Sequence, residues 1–328
     1  DQCHDSQPRW TPDAVGCTVL QYPVAWDGNG PYSTERFGRV GTMMIQTTSG
    51  NWRIQDEWDG NHTYLFIFNQ KSNSYISNLW SQNVGDLLAA TPSDTHIFFG
   101  SYDSDFANDI SGMKARVDSW LSNQPQEVQD SWNGRVHYVN ERGWDVDGSL
   151  HDVISDWSQF YYGIDRFQRW RQIGSLFDWQ SSSCCYRLDY IANEPHMWNK
   201  EFEVELRRTD PGVTVIDIWA GDRHSGGWSG GHHSYLNGTL PNASAMQGFN
   251  TMEVYMHHAC SEHRDRYGID DDGDGSTDRY GGCHEWDYIQ YLYICDADNS
   301  SVCGTELGRY ITTYGREGKW ITDASPLL

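Results

Sequence analysis

The sequence predicts a multidomain α+β protein, an α/β unit followed by a β region, and three observations carry that reading. Between Thr63 and Trp157, short apolar runs alternate with stretches whose apolar residues recur at helical spacing. After Asp210-Pro211-Gly212 the pattern shortens to strand-length runs broken by glycine-rich and acidic loops. The 328 residues include 16 Trp and 19 Tyr and are 38% hydrophobic, enough for two or three packed cores and too apolar for a disordered chain.

Residues 1–60 carry turn signals such as Asp27-Gly28-Asn29-Gly30-Pro31 and one strand candidate, Val40–Thr47, and are expected to form an irregular N-terminal segment. Residues 61–212 are the α/β domain. Thr63–Asn69 and His96–Tyr102 are apolar runs of strand length, and Val136–Val139 is a third strand. Tyr75–Ala90 is amphipathic. Phe106, Ile110, Met113, Val117 and Leu121 line one helix face, and Leu150, Val153, Ile154 and Trp157 another. Strands alternating with helices imply a parallel sheet with right-handed crossovers. Phe202, Val204 and Leu206 alternate as in a strand, although the polar residues between them suit a helix as well. Arg166, Arg169 and Arg171 beside Trp170 read as a salt-bridged surface patch. Residues 213–328 are the last domain, opened by Val213, Val215, Ile216, Ile218 and Trp219.

A formal net charge of -23 and a pI near 4.7 exclude nucleic acid and anionic membrane as partners. No apolar run approaches the roughly 18 residues of a transmembrane segment. The chain begins at Asp1 without Met, which reads as a processed N-terminus, and its eight cysteines suit an oxidising compartment, so a secreted protein is expected. Cys3 and Cys17 are expected to staple to the vicinal pair Cys184 and Cys185, in preference to a local Cys3–Cys17 bridge with a vicinal bond. No Cys/His spacing suits zinc. Glycosylation sequons stand at Asn61, Asn237, Asn242 and Asn299.

The sharpest local signal is the acidic loop 270–281. Asp270, Asp272 and Asp274 alternate, Gly275 follows, and Ser276 and Asp278 fall where a calcium loop places its seventh and ninth residues. Carboxylates this close repel one another, and a bound Ca2+ relieves that. Gly281 stands where an EF-hand has its bidentate glutamate, so the loop is not a complete EF-hand. A solvated acidic turn is the plain alternative.

The segments around this loop carry a family resemblance. Phe249–Met256, Cys260, Gly282-Cys283-His284-Glu285-Trp286-Asp287-Tyr288, Glu306–Tyr314 and Trp320–Leu328 follow one another in order and spacing. This resembles the first jelly-roll module of peptide-N-glycosidase F-like proteins, over about Val213–Leu328. The resemblance implies an antiparallel β-sandwich. Together with proximity it favours disulfides Cys260–Cys283 and Cys295–Cys303. It also implies that Asp287 matches the family's principal acid/base residue. The basic residue that follows it in the family is Tyr288 here, and the family's partner glutamates lie beyond Leu328. One carboxylate cannot both activate water and serve the leaving amide.

Two further stretches bear on function. Tyr162–Phe167 is reminiscent of thioredoxin-like domains, and the absence of any cysteine between Cys17 and Cys184 makes such a domain redox-inactive. In the glycine- and histidine-rich stretch Gly221–His233, Trp228 could stack on a sugar, as could Trp286; a plain surface connection is the alternative. His257 and His258 face opposite ways on a strand and cannot share a metal.

Three functions are therefore expected to compete. The first is a secreted, calcium-stabilised structural or interaction glycoprotein, self-associating by strand exchange into a filament because its sandwich lacks its last strands. The others are part of a peptide-N-glycosidase-like amidase and a glycan-binding module.

Overall fold

The computed structural model describes residues 9–13, 16–20, 24–35, 37–157, 161–173, 187–208, 210–218, 241–258, 289–295, 302–311 and 318–327. They fall into two compact units. The described residues of one are 24–204, and those of the other are 9–20, 205–258 and 289–327. Strands β1 (Arg9–Asp13) and β2 (Gly16–Leu20) pair antiparallel and belong to the second unit.

The larger unit is a seven-stranded mixed sheet with helices. Its elements are β3 (Met44–Thr47), β4 (Gly50–Arg53), α1 (Ile54–Glu57), β5 (Thr63–Asn69), α2 (Ser74–Ser81), α3 (Val84–Ala90), β6 (Thr95–Ser101), α4 (Phe106–Leu121), α5 (Gln126–Trp132), β7 (Val136–Arg142), α6 (Ser149–Trp157), β8 (Tyr161–Ile164), β9 (Trp170–Gln172) and α7 (Asn193–Arg207). The strand order is β4-β3-β7-β6-β5-β8-β9. β5, β6 and β7 run parallel, as the alternation of strands and helices requires.

The expectation of a wholly parallel sheet needs correction. β8 pairs antiparallel with β5, β9 with β8, and β3 with both β4 and β7. β5 has an edge facing away from β6, and β8, buried along its whole length, fills it. The expected boundary at residue 60 is also absent. Residues 44–53 are strands of the same sheet, and Val40, Met43, Ile45 and Trp52 supply apolar cover to one of its faces.

β5 is buried at every position because both faces of the sheet are covered. Leu65, Ile67, Ile97 and Phe99 face one core with Ile76, Leu79, Leu87, Ile110, Met113, Val117 and Trp198 from α2, α3, α4 and α7. Phe66, Phe68, Phe98 and Val139 face the other with Leu150, Val153 and Ile154 of α6. The amphipathic stretch Tyr75–Ala90 is two helices, because Asn73 and Asn83 each cap a new N-terminus with the side-chain oxygen. The ambiguous Phe202–Leu206 lies in α7 and is helical.

Trp198 of α7 seats against Gly163 of β8, where an added Cβ would lie 2.0 Å from Trp198 Cη2. Trp198 is buried and cannot retreat, so Gly163→Ala is expected to destabilise this unit by about 1–3 kcal/mol. The urea midpoint measures this, and an unchanged midpoint would show that the helix docks differently.

The second unit contributes α8 (Ala243–Met246), β10 (Glu253–His258), β11 (Ile289–Cys295), β12 (Cys303–Ile311) and β13 (Gly318–Asp323). β10 pairs antiparallel with β13 and β11 with β12. These are two small antiparallel ladders, and the described residues do not make up the expected jelly-roll sandwich. Tyr310 packs against Trp320 with ring centroids 5.7 Å apart, and its hydroxyl lies 3.2 Å from Thr322 Oγ1.

Candidate functional site

In a sheet with a parallel core, ligands and chemistry gather outside the carboxyl ends of the strands. Here those ends are Asn69 of β5 and Ser101 of β6. The turn after β5 supplies Lys71, the turn after β6 supplies Asp103 and Asp105, and the first turn of α4 supplies Asp109. The Ser101 hydroxyl and the Asn69 amide both donate to Asp109 Oδ2, at 2.7 and 3.1 Å. Lys71 Nζ lies 2.8 Å from Asp109 Oδ1 and 2.5 Å from Asp105 Oδ2, and its backbone N–H donates to Asp103 Oδ2 at 2.8 Å. Hydrogen bonds to Asp105 and Asp109 hold the ammonium above its ordinary pKa, and Lys71 in turn depresses the Asp105 carboxyl. Lys71 and Asp105 are therefore each held in the charged form, a fixed ion pair rather than a proton donor or acceptor.

A second polar group lies near the amino ends of β5, β6 and β7. His96 Nδ1 and His137 Nε2 are 2.9 Å apart, and the two rings are nearly parallel. The His62 ring meets the His96 ring edge-on with centroids 4.8 Å apart, and His62 Nδ1 lies 2.6 Å from Asp59 Oδ2. Burial pushes His96 down to about 3, aided by His137 and His62, and burial pushes His137 down to about 4. Both are therefore neutral, and one ring N–H is shared between them. Among the described residues, no three metal-ligating side chains converge.

A third group overturns the surface reading of the arginine cluster. Arg171 is buried, and its Nη1 donates to Asp165 Oδ2 at 3.1 Å and to Glu201 Oε2 at 2.7 Å. Arg169 Nε donates to the same Asp165 oxygen at 3.0 Å. The cations are ion-paired as expected, but inside the unit: Arg171 also lies over the rings of Phe37 and Trp198.

Of the residues singled out by the sequence, most lie outside the described residues. These are Asp270, Asp272, Asp274, Ser276 and Asp278 of the calcium loop, Asp287, Trp286, Trp228, Cys3, Cys184, Cys185, Cys260, Cys283, Asn237 and Asn299. Cys17 stands in β2, opposite Pro12. Cys295 and Cys303 are joined by a disulfide and face each other at the end of the β11–β12 ladder. Asn61 is half-buried, and its backbone N–H donates to Asp59 Oδ1 at 2.8 Å. Asn242 is exposed and caps α8, accepting from Ala245 N at 3.0 Å. That cap uses the side-chain oxygen, so the amide nitrogen that carries an N-linked glycan is not consumed by it. His257 and His258 both stand in β10, and the His258 ring packs against Trp320. The Lys71–Asp109 set and the histidine pair were not legible beforehand, because each joins residues far apart in the chain. The one available signal was polar residues at the ends of apolar runs.

No protein-family model matches the chain, and no curated protein does. Among solved structures the chain is similar to copper-bound ScoI of Bradyrhizobium japonicum, at 12% identity over 49% of this chain and 99% of that one. The TM-score is 0.28, too low to carry an argument about fold or function.

Proposed function

We propose that the chain is a secreted structural or interaction glycoprotein, stabilised by calcium and disulfides, whose α/β unit is a thioredoxin-like scaffold without a catalytic centre. The parallel β5-α-β6 core, the antiparallel β8–β9 pair beside it and the closing helix α7 support the thioredoxin-like reading. The observation that carries the functional reading is the turn after β5. The segment Gln70-Lys71-Ser72-Asn73 between that strand and α2 contains no thiol, and its lysine is locked between Asp105 and Asp109. In this reading the C-terminal ladders belong to a jelly-roll sandwich, and the loop 270–281 holds the cation.

Two assays test this. The chain is expected neither to reduce insulin disulfides nor to release glycans from a denatured N-glycoprotein. Turnover in the first assay, or turnover in the second that Asp287→Asn abolishes, would replace the structural reading with an enzymatic one. Removing calcium is expected to lower the melting temperature. With Ca2+ at about 100 times its Kd the ion contributes about 2.7 kcal/mol, or roughly 5–10 °C. A melting temperature unmoved by chelator would remove the ion from the account.

A further inference from the structure

In the β11–β12 ladder, opposed residues share a face. One face carries Leu292 and Tyr310, which are buried, and at its end Ile294, which is 42% exposed. The other carries Ile289 opposite Ile311, Tyr291 opposite Arg309 and Tyr293 opposite Glu306. An antiparallel ladder packed on one side ordinarily turns polar residues to water on the other. Here Ile289, Tyr291, Tyr293 and Ile311 are 55%, 50%, 42% and 52% exposed, so the outward face is apolar where it should be wet.

The two charges on that face are arranged by a bulge. Residues three apart on a regular strand point to opposite sides, but the register shift beside Leu292 and Tyr293 inserts Leu307 as an extra residue. Glu306 and Arg309 therefore share a side, and Arg309 Nε and Nη2 donate to the two Glu306 carboxylate oxygens at 3.1 and 3.0 Å. The guanidinium lies 4.9 Å from the centre of the Tyr291 ring.

We propose that this face packs against the same face of a second copy of the chain about a two-fold axis, with each Arg309 meeting Glu306 of the partner subunit. The argument for a second copy is charge. A chain of net charge -23 repels its like as a whole. This patch carries one positive and one negative group and is neutral. A two-fold axis crossing the strands between positions 306 and 309 brings opposite signs together and lays the tyrosines of one ladder over those of the other. The six residues form the centre of a contact whose full extent, for a stable dimer, is about 800 Å² per partner. The inference deepens the reading of the chain as an interaction protein and rests on it.

Sedimentation of the full chain from 1 to 100 µM (roughly the range in which such contacts are populated) tests it. The wild type is expected to dimerise. Arg309→Glu alone and Glu306→Arg alone are each expected to weaken association by about 100-fold or more, because like charges then oppose across the axis. Mixing the two variants in equal amounts restores the dimer, which also shows that each has folded. A monomeric wild type, as when another part of the chain or a different partner covers the face, overturns the proposal. So do single reversals that leave the dimer intact and a mixture that stays monomeric. A monomer that remains inactive in the disulfide and deglycosylation assays would leave the non-catalytic reading standing.

Discussion

Replacing Arg171 with methionine is expected to destabilise the larger unit by about 3–5 kcal/mol, the largest effect of any single substitution considered for this protein. Burial alone works against a charged guanidinium, but Glu201 and Asp165 more than reverse it and hold Arg171 above its ordinary pKa. Methionine fills much of the same space and leaves both carboxylates without their shared cation. Asp165 is 1% exposed and has no access to water to replace the lost bond. Arg171→Lys keeps the charge, but its ammonium stops short of the position from which Nη1 bonds both carboxylates, so an intermediate loss is expected. Urea unfolding followed by tryptophan fluorescence measures both, since Trp198 and Trp170 lie in the two cores of this unit. A loss below about 1 kcal/mol for Arg171→Met would mean that the pair is no stronger than a surface salt bridge.

Acid is expected to unfold the same unit through His96 and His137. Their native pKa values lie at about 3 and about 4, below the ordinary 6.5, so the unfolded chain takes up these protons first. The sign follows from that. The contribution is fully present above pH 6.5 and is lost as pH falls toward the native values. Once the pH is about one unit below 6.5, each histidine costs about 1.4 kcal/mol per further pH unit until its native form also protonates. The groups facing the pair are Asp59, which favours protonation, and His62 and Arg135, which oppose it. Unfolding free energies measured between pH 7 and 4 give the slope. In the double variant His96→Leu/His137→Phe the slope should flatten by the share of two protons. An identical slope in that variant would assign acid sensitivity to the carboxylates alone.

The parts of the fold legible in the sequence are those where burial leaves a one-dimensional trace. The run Thr63–Asn69 is apolar because β5 is covered on both faces, and the stripes in α4 and α6 have helical period because one side of each meets the sheet. β4 escaped notice because Trp52 is its only buried residue, too little for a periodic signal. In α7 the apolar residues Phe202, Val204 and Leu206 fall at every second position, which imitates a strand, and only Trp198, one turn before Phe202, betrays the helix. The direction of β8 was not legible, since reversal of a strand depends on which edge of β5 is free rather than on local residues. Arg171 looked superficial for a related reason. Its two carboxylate partners come from a turn and from α7, and no spacing rule links them.

The placement of β5 between β6 and β8 has a consequence for synthesis of the chain. One side of β5 is satisfied by a segment made soon afterwards, whereas the other must await Tyr161–Ile164, almost a hundred residues later. Until those residues leave the ribosome, a largely apolar strand keeps an unpaired edge open to any passing strand. The growing chain therefore needs shelter most while its helices are already made, and a version cut short at residue 157 is expected to aggregate rather than fold.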